Sequence, residues 1–582
     1  MAGYPRPQLV REQWELLDGQ WEYEADPMDV GVGRGWSDPS RRPAGRIAVP
    51  YPPESPLSGV GVDGPSVHWY RRECEIAPRG DGRVLLHLEA VDFEADVWVN
   101  GIHVAHHVGG FTPIRADVTD ALVEDGPQVV TVRARDERTD LEQPRGKQDW
   151  QKEPHEIWYE RTSGLWRDVW WEQVPATRID TLRWLPDPAS GTVGLEVTVV
   201  GPAREGLVAE CVLAVGADEL VTVTGNVQKG TARLTAELPG DVASLRWTPE
   251  TPVLLDATVR LRGVDAVLDE VGSYLGLRSV GTGDGAFLLN GEPYYLRLVL
   301  AQGYWPDSHL AQPDDEAHRH EAELVKALGF NGLRMHQTTA DPRFLAWCDR
   351  IGLLVWDESP SAFAYSARAL TMTLAQLAEM VQRDVNHPSV CAWVPFNESW
   401  GVEHVATDPR QQAAVEAGYQ LLRALDGTRP VLGNDGWEYT VGDVVGIHDY
   451  GHDPTAFADR YANLPEAVRT GRVSDRPIAI RPVDAATPVV LSEFGGFTLS
   501  ADERAWDAYG AVGSGNELLA ELAALVDAVV AVEGLAGFCY TQLTDTRQET
   551  NGLLTEDRVP KADPDAIAEI IRRSVRAPAA PR

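Results

Sequence analysis

Eight apolar, strand-like runs follow one another through the C-terminal half of the chain, and nearly all of them end on polar residues. Stretches with helical periodicity, such as DDEAHRHEAELVKALGF, separate the runs. Strands that alternate with helices predict βα units and a parallel sheet. The eight runs are 294–300, 330–336, 353–359, 390–399, 429–435, 444–450, 488–494 and 537–545. Eight such units predict a (β/α)₈ barrel, the TIM-barrel architecture.

The polar residues at the ends of these runs predict where a functional site lies. In a (β/α)₈ barrel the active site is built at the carboxyl ends of the strands. Glu398 ends the fourth run and Glu493 ends the seventh, so the two face each other across the predicted barrel mouth. Cleavage of a glycosidic bond needs two such carboxyl groups, one protonated and one ionised. The pattern therefore predicts a glycosidase with Glu398 and Glu493 as catalytic residues.

Other polar and aromatic residues near the strand ends are candidates for substrate binding. They are Asn397, His336, Arg334, Tyr450, His448, Trp400, Trp305, Asp357, Glu358 and Gln542. Some of them have a structural alternative: Asp357 and Glu358 fit an ion pair or a helix cap equally well, and Tyr450 fits a packing role. No cluster of residues indicates a metal site, and the two-carboxylate chemistry implies no cofactor.

The N-terminal half has a different texture, with short alternating runs broken by Pro, Gly and Asp. RVLLHLEAVDFEADVWVNG, for example, alternates along a strand and then turns at Asn-Gly. Residues 1–176 therefore predict a β-sandwich, and residues 177–277 a second, smaller one. Residues 278–582 are assigned to the barrel.

Composition narrows the partners and the compartment. The formal net charge of −36 argues against nucleic acid or an anionic membrane surface as a partner, since either needs a cationic face. The five cysteines are scattered and lack metal-type spacing, and the chain has no signal-like N-terminus and no long apolar span. We expect a cytoplasmic protein that acts on a carbohydrate, with a homodimer as the working expectation.

Several motifs together resemble glycoside hydrolase family 2, which includes β-galactosidases, β-glucuronidases and β-mannosidases. They are WELLDGQWEY, VWVNG, FLLNGEPYYLR, LRMHQTTADPRFLAWCDRIGLLVWDE, NHPSVCAWVPFNES and VVLSEFGG, and they occur in the order typical of the family. The resemblance implies a jelly-roll sugar-binding domain, an immunoglobulin-like domain and a catalytic barrel. It also implies a retaining, exo-acting double displacement.

The resemblance further implies a role for individual residues. Glu398, which follows Asn397, corresponds to the family's acid/base, and Glu493 in SEFGG corresponds to its nucleophile. Asn397 is expected to hold the sugar 2-hydroxyl and Tyr450 to bond the nucleophile. Arg334 is expected to keep Glu493 ionised, because a nearby cation lowers the pKa of a carboxyl group.

Departures from the family pattern bear on the substrate. The Asn-x-Lys pair that reads a uronic carboxylate in family β-glucuronidases is absent, because Asn551 is followed by Gly552 and Leu553. The usual strand-eight tryptophan is also missing from GFCYTQLTD. These changes favour a neutral glycone, with a β-galactoside first and an α-L-arabinoside or β-glucoside next. A β-glucuronidase or other uronidase, and a catalytically silent carbohydrate-binding homologue, remain the alternatives.

Overall fold

The structure is a computed structural model that describes residues 3–76, 80, 82–499, 506 and 509–573. Antiparallel sheets occupy the first half of the chain, and a parallel sheet with surrounding helices occupies the second half. In the described ranges, no helix is both long enough and apolar enough to cross a membrane.

The first twelve strands form two main sheets around one core. The sheets have the orders β1-β12-β5-β9 and β3-β2-β4-β10-β7-β8, and β6 pairs with β11 beside them. Alternating apolar residues of both sheets are buried in that core, such as Val84 and Leu86 of the first sheet and Val97 and Val99 of the second. The strands are β1 (Trp14–Leu16), β2 (Gly19–Ala25), β3 (Gly45–Val49), β4 (Val67–Cys74), β5 (Arg83–Leu88), β6 (Val91–Asp92), β7 (Glu94–Val99), β8 (Ile102–Val108), β9 (Ile114–Asp117), β10 (Gln128–Arg135), β11 (Gly164–Leu165) and β12 (Val169–Val174).

The next seven strands form a second, smaller pair of sheets. One has the order β13-β14-β17 and the other β16-β15-β18-β19, and both contribute to a single buried cluster. The strands are β13 (Arg178–Asp187), β14 (Thr192–Val200), β15 (Val208–Val215), β16 (Asp218–Asn226), β17 (Thr231–Glu237), β18 (Leu255–Arg262) and β19 (Val267–Leu275). A small antiparallel sheet then leads into the parallel one, through β20 (Val280–Gly283), β21 (Ala286–Leu289) and β22 (Glu292–Pro293).

The parallel sheet has seven regular strands in the order β26-β25-β24-β23-β31-β30-β27. Its strands are β23 (Leu296–Ala301), β24 (Gly332–Met335), β25 (Leu354–Glu358), β26 (Val390–Val394), β27 (Val445–Asp449), β30 (Val489–Gly495) and β31 (Leu535–Thr541). The short hairpin of β28 (Arg472–Val473) and β29 (Arg476–Pro477) lies outside it. Seven of the eight predicted strand runs therefore correspond to parallel strands, within a few residues at each end.

The fifth predicted run, 429–435, does not form a regular strand. Isolated parallel bridges join Val431 to Trp393 and Asp435 to Asn397, so the segment still lies beside β26. Pro430 has no N–H to donate to a ladder, and this shortens the pairing on that side. The segment occupies the place of a fifth strand without the regular hydrogen bonding that the sequence pattern predicted.

Helices connect the parallel strands and cover their outer face. They are α1 (Asp315–Ala327), α2 (Pro342–Ile351), α3 (Ala367–Asp384), α4 (Pro409–Leu425), α5 (Pro454–Arg460), α6 (Leu464–Thr470), α7 (Gly515–Val530) and α8 (Pro564–Ile571). Most begin after a side chain that caps the first turn, such as Asp314 before α1 and Ser366 before α3. The segment 451–487 contains α5, α6 and the β28–β29 hairpin.

Side chains alternate along the parallel strands, so the strands contribute to two separate apolar clusters. One buried position among the strands carries a charged residue. Val299 packs in the cluster shared with the helices, whereas Leu298 and Leu300 belong to a separate inner cluster. Arg334 of β24 pairs in register with Leu300 on one side and Trp356 on the other, and it is fully buried. A buried guanidinium needs carboxylate partners, and these define the site.

Candidate active site

A left-handed turn after β26 presents Glu398 at the mouth of the parallel sheet. Glu398 has φ 51° and Ser399 has φ 60°, a region that costs a non-glycine residue about 1 to 3 kcal/mol. The 429–435 segment holds this turn: the Glu398 N–H donates to the Asp435 carbonyl at 2.9 Å, and the Ser399 N–H donates to Asn434 Oδ1 at 3.0 Å. The buried strand ends on polar residues because its last turn is built to expose a carboxyl group.

Glu493, near the end of β30, lies in a strongly cationic pocket. Arg334 Nη1 is 2.6 Å from its Oε1, and the Tyr450 hydroxyl donates a hydrogen bond to its Oε2. Burial by itself would raise the pKa of Glu493, but His448, Arg334 and His336 and the Tyr450 hydrogen bond together lower it to about 2. Glu493 is therefore a carboxylate at every ordinary pH.

His448, at the end of β27, lies between the two glutamates. Its Nδ1 is 2.8 Å from Glu398 Oε1 and 3.5 Å from Glu493 Oε2, and its Nε2 is 3.4 Å from Asp435 Oδ2. Burial alone would lower the pKa of His448, yet the charges of Glu493 and Asp435 and the hydrogen bond with Glu398 raise it to about 10. The facing atoms of Glu398, His448 and Glu493 all lie within 4.8 Å of one another. One imidazolium thus bridges the two carboxyl groups.

The same three residues have the spacing of a metal site. A metal ion there would have to displace a proton from His448. A metal needs a neutral imidazole, and the raised pKa of His448 keeps both ring nitrogens protonated near neutral pH. A second group with metal-like spacing, Glu94, Asp96 and His106, lies on the first sandwich and not at the barrel mouth.

Arg334 connects Glu493 to the ends of the neighbouring strands. Its Nη2 lies 2.6 Å from Asn397 Oδ1, 2.7 Å from Glu358 Oε2 and 3.1 Å from Asp435 Oδ2. Burial alone would lower the pKa of Arg334, but these carboxylates and Glu493 raise it well above its usual value. Because Arg334 holds the Asn397 oxygen, the amide turns its Nδ2 elsewhere, and that nitrogen has no hydrogen-bond partner among the described residues. It is a buried hydrogen-bond donor that no described residue uses.

Two of the predicted residues do not join this group. Trp305 is nearly buried, with the Arg558 guanidinium 3.3 Å from the centre of its ring. Asp357 is fully buried, where desolvation and the neighbouring Asp384 raise the pKa of its carboxyl well above its usual value. Asp357 lies apart from the group because alternation along a strand sends it to the opposite face from Glu358.

The remaining predicted residues lie around Glu398 and Glu493. His336 Nδ1 is 3.2 Å from Glu358 Oε1 and 4.0 Å from Glu493 Oε1. The Trp400 ring lies 6.1 Å from the His336 ring. Gln542 belongs to a buried polar group after β31, in which Gln302 Nε2 donates to Gln542 Oε1 at 2.5 Å.

That polar group contains an ion pair that sequence reasoning missed. Lys147 Nζ is 2.7 Å from Glu549 Oε2, and both side chains are about 4% exposed. Gln302 also donates to Glu549, at 2.9 Å, and Gln542 Nε2 donates to Asn551 Oδ1 at 2.7 Å. Lys147 belongs to the N-terminal half, 402 residues from its partner. Nothing local in the sequence indicates that the two residues meet.

The reason is that residues 140–161, which we call the bridging segment, leave the first sandwich and cross the barrel mouth. The N–H groups of Arg145 and Gly146 both donate to the Ser361 carbonyl, at 3.0 and 3.2 Å. Further along, Glu160 accepts hydrogen bonds from Tyr304 and Arg547, at 2.7 and 2.9 Å. The candidate site is therefore bordered both by the barrel and by the bridging segment.

Comparison with known proteins agrees with this architecture. The family described as "Glycosyl hydrolases family 2, TIM barrel domain" matches residues 280–478, and "Glycosyl hydrolase 2 galactose-binding domain-like" matches residues 62–167. A β-glucuronidase of Canis lupus familiaris is 30% identical over an alignment of 517 residues that covers 77% of this chain and 74% of that protein. The chain belongs to glycoside hydrolase family 2. It is therefore an O-glycosidase.

Other members of glycoside hydrolase family 2 differ in their named substrates. A β-galactosidase of Thermoanaerobacter pseudethanolicus is 30% identical over 345 residues, covering 57% of this chain and 45% of that protein. The solved β-glucuronidase of Ruminococcus gnavus with D-glucuronic acid has a TM-score of 0.79 at 19% identity, covering 97% and 99% of the two chains. A β-galacturonidase of Eisenbergiella tayi bound to galacturonate gives 0.76 at 20% identity, covering 98% and 99%. These structural similarities establish the fold alone.

Proposed function

We propose that the enzyme removes a terminal, neutral β-glycoside from its substrate with retention of configuration, with a β-galactoside as the first candidate. Glu493 is the nucleophile and Glu398 the acid/base. The observation that carries this assignment is the geometry: Glu398 and Glu493 face each other across His448, with facing atoms within 4.8 Å. The cations around Glu493 also lower its pKa to about 2. Retaining glycosidases hold their carboxyl groups about 5 to 5.5 Å apart, whereas inverting enzymes need about 6.5 to 9.5 Å.

The reaction proceeds in two displacements. Glu493 attacks the anomeric carbon while Glu398 donates its proton to the departing aglycone oxygen, and a covalent glycosyl-enzyme ester forms. Glu398, now a carboxylate, then removes a proton from water, which attacks the anomeric carbon and releases Glu493. Each step inverts the anomeric centre, so the product retains its configuration.

The neighbouring residues prepare the two glutamates for these roles. Arg334 and Tyr450 hold the Glu493 carboxylate in one orientation with hydrogen bonds to its two oxygens. Burial, with the neighbouring Glu493 charge, raises the pKa of the Tyr450 phenol well above its usual value, so it stays a donor. The free Nδ2 of Asn397 is oriented by Arg334 and is suited to bond the sugar 2-hydroxyl.

A neutral glycone is supported by the charge pairing around the polar group after β31. Lys147 is paired with Glu549, and Lys561 lies 2.5 Å from Asp545 Oδ1. The position where family β-glucuronidases have a lysine two residues after the asparagine is Leu553, which is buried. Amide side chains such as Gln302 and Gln542 suit hydroxyl groups, since an amide both donates and accepts.

A uronide is the second candidate, and an α-L-arabinoside the third. The uronide is favoured by the names of the relatives, which include β-glucuronidases and a β-galacturonidase. A carboxylate of the substrate would have to compete with Glu549 for Lys147. A catalytically silent homologue is disfavoured because both glutamates and their partners are in place.

A panel of nitrophenyl glycosides tests the proposal. The panel contains β-galactoside, β-glucoside, β-mannoside, β-glucuronide, β-galacturonide and α-L-arabinosides, with Glu493→Gln protein as the blank. We expect the largest kcat/KM on a neutral glycoside and none with the blank. A largest value on either uronide would replace the neutral glycone with the second candidate. Release of the inverted anomer, observed by NMR, would contradict the retaining mechanism.

The domain assignment also remains a proposal. We assign residues 1–176 to a jelly-roll domain, 177–277 to an immunoglobulin-like domain and 278–582 to the catalytic barrel. Two sheets around a single core in each of the first two regions, and seven parallel strands in the third, support these assignments. Limited proteolysis checks them: stable fragments with ends near residues 176 and 277 are expected.

A further inference from the structure

Four large aromatic side chains meet where the bridging segment crosses the barrel mouth. We call Trp150, Trp158, Phe363 and Trp400 the aromatic wall. The Trp158 ring lies 4.8 Å from Phe363 and 4.9 Å from Trp400, and the Trp150 ring lies 5.1 Å from Phe363. Two of these residues come from the first sandwich and two from the barrel. Each of the four is only half-buried, so the wall keeps apolar surface open to solvent.

The wall reaches Glu398 and Glu493 through Trp400. Trp400 follows Glu398 by two residues, and its N–H donates to the Asn397 carbonyl at 2.8 Å. The Trp400 ring is 6.1 Å from the ring of His336, whose Nδ1 is 4.0 Å from Glu493 Oε1. Two ring-to-ring steps therefore separate Trp158 from the residue that contacts the nucleophile.

Hydrogen bonds between the two halves of the chain hold the wall in place. Gln548, which follows β31, donates through Nε2 to the Trp158 carbonyl at 2.8 Å and to the Glu156 carbonyl at 2.9 Å. The Phe363 N–H donates to the Leu141 carbonyl at 2.8 Å. A surface that is held on two sides is preorganised, which lowers the entropic cost of binding.

Polar, exposed residues border the wall. Gln151, Lys152, Glu153 and Glu156 are exposed along the bridging segment. Half-exposed aromatic rings with a polar border are typical of a binding surface and not of a core. The rings of the wall offer flat apolar faces, on which a group with an apolar face of its own can pack.

We propose that the aromatic wall binds the leaving group of the substrate, and that this group is a ring with an apolar face, either a pyranose or a phenol. The inference rests on the proposed function, because it takes Glu398 as the acid that protonates the aglycone oxygen. The aglycone must lie on the Glu398 side of the scissile bond, and the wall begins there. Aromatic faces bind such rings through dispersion and burial of apolar surface.

The proposal predicts a loss that depends on the aglycone. Trp158→Ala is expected to lower kcat/KM about 10- to 50-fold for a β-linked disaccharide and for a phenyl glycoside, on the scale of one well-filled subsite contact. The methyl glycoside of the same sugar has no ring to contact the wall, and its kcat/KM is expected to change less than about twofold. A greater loss on the disaccharide identifies a sugar as the preferred ring, and a greater loss on the phenyl glycoside identifies a phenol.

Two further variants keep the test clear of effects on folding. Trp158→Phe retains an aromatic face and is expected to stay within about threefold of the wild type on all substrates. Trp36→Ala removes an equally half-buried tryptophan that packs with Trp69 and Arg41 on the first sandwich, and it is expected to leave all values unchanged. An equal loss on methyl and ring-bearing substrates in Trp158→Ala, or no loss on either, overturns the proposal.

A binding measurement separates this inference from the assignment of the reaction. In the Glu493→Gln background, calorimetry compares the Kd of the disaccharide with that of the methyl glycoside, with and without Trp158→Ala. A selective loss of disaccharide affinity supports the wall even for a substrate that turns over poorly. If the wild type turns over no glycoside, the proposed function fails independently. Equal affinities for the two ligands, in both proteins, overturn the wall.

Discussion

The two glutamates are distinguished by the residues that contact them. Glu493 is held by Arg334 and Tyr450 and is ionised, with its pKa lowered to about 2. Glu398 is more exposed, with 15% of its side chain open to solvent, and it bonds His448 in a strained turn. An ionised group in a fixed orientation suits a nucleophile, and a group at the open side suits proton exchange with the leaving group and with water.

Substitution of each glutamate therefore gives a different kinetic result. Glu493→Gln is expected to abolish turnover of every glycoside, by about 10⁴-fold or more, since no covalent intermediate forms. Glu398→Gln is expected to lower kcat/KM about 10²- to 10⁴-fold for a methyl glycoside and much less for a dinitrophenyl glycoside, whose leaving group needs little protonation. Equal losses on both substrates for Glu398→Gln would contradict the roles.

His448 gives a prediction about pH. Removal of its positive charge makes the Glu493 carboxylate harder to form, so His448→Gln is expected to raise the pKa of Glu493 by about 1 to 3 units. The acid limb of kcat/KM then moves upward from the low value of the wild type. His106→Gln, on the outer face of the first sandwich, is the matched control. An acid limb that does not move would contradict the electrostatic role.

The same shifts fix how these two groups contribute to stability. Glu493 has a folded-state pKa below its ordinary value, so its contribution is present above about pH 4.5 and is lost as the pH falls toward 2. His448 has a raised pKa, so its contribution is complete below about pH 6.5 and is lost as the pH rises through 10. Both contributions are complete only between about pH 4.5 and 6.5.

At the scale of elements, the bridging segment is the connection that places side chains of the first sandwich at the barrel mouth. Gly146 lies at the closest approach, with φ +63° and its would-be Cβ only 2.0 Å from the Gln337 carbonyl oxygen. Gln337 itself is held by Glu358, which accepts from its Nε2 at 2.6 Å. Neither side of this contact has room to move without disturbing the residues around Arg334.

Gly146→Ala is therefore expected to displace the bridging segment. The added strain and overlap cost about 2 to 4 kcal/mol. We expect a lower thermal midpoint and a kcat/KM at least about tenfold lower, because Lys147 and Trp158 move with the segment. Gly126→Ala is the control, since it has φ +90° but no atom within 4 Å of the added Cβ. Comparable losses of activity in both variants would contradict the positional role.

At the scale of the whole molecule, a buried ion pair joins the N-terminal half to the barrel. Lys147 and Glu549 are separated by 402 residues, and neither is exposed enough for water to replace the partner. Removal of one member of such a pair costs about 3 to 5 kcal/mol, because the other charge stays buried and unpaired. Removal of both members costs much less.

A double-mutant cycle tests this connection. Lys147→Met is expected to lower the thermal midpoint markedly, and Lys147→Met combined with Glu549→Gln is expected to recover most of the loss. Glycoside turnover is measured in parallel, because the pair borders the polar group that contains Gln302 and Gln542. Additive losses in the double variant would show that the two charges are not coupled.

The strand runs, the family and the two catalytic candidates could be predicted from the sequence, because each depends on residues that are close together in the chain. Strand residues alternate or run apolar in short stretches, and Glu398 and Glu493 stand where such stretches end. The Asp-Pro before α5 and the Asn-Leu-Pro that opens α6 are likewise local start signals, so these two helices were within reach of sequence reasoning.

Residues from distant parts of the chain come together at the site only through tertiary packing, which the sequence pattern did not predict. Lys147, Trp150 and Trp158 lie in a segment whose polar composition is typical of a loop. Nothing in that composition predicts which strand ends the segment passes. The fifth predicted strand makes only isolated bridges, because Pro430 has no N–H to donate. Its apolar run nevertheless has the pattern of a regular strand. Trp305 reads as a sugar-stacking residue, yet Arg558 covers its ring. Long-range burial and charge pairing set these outcomes, and neither depends on the neighbours of a residue in sequence.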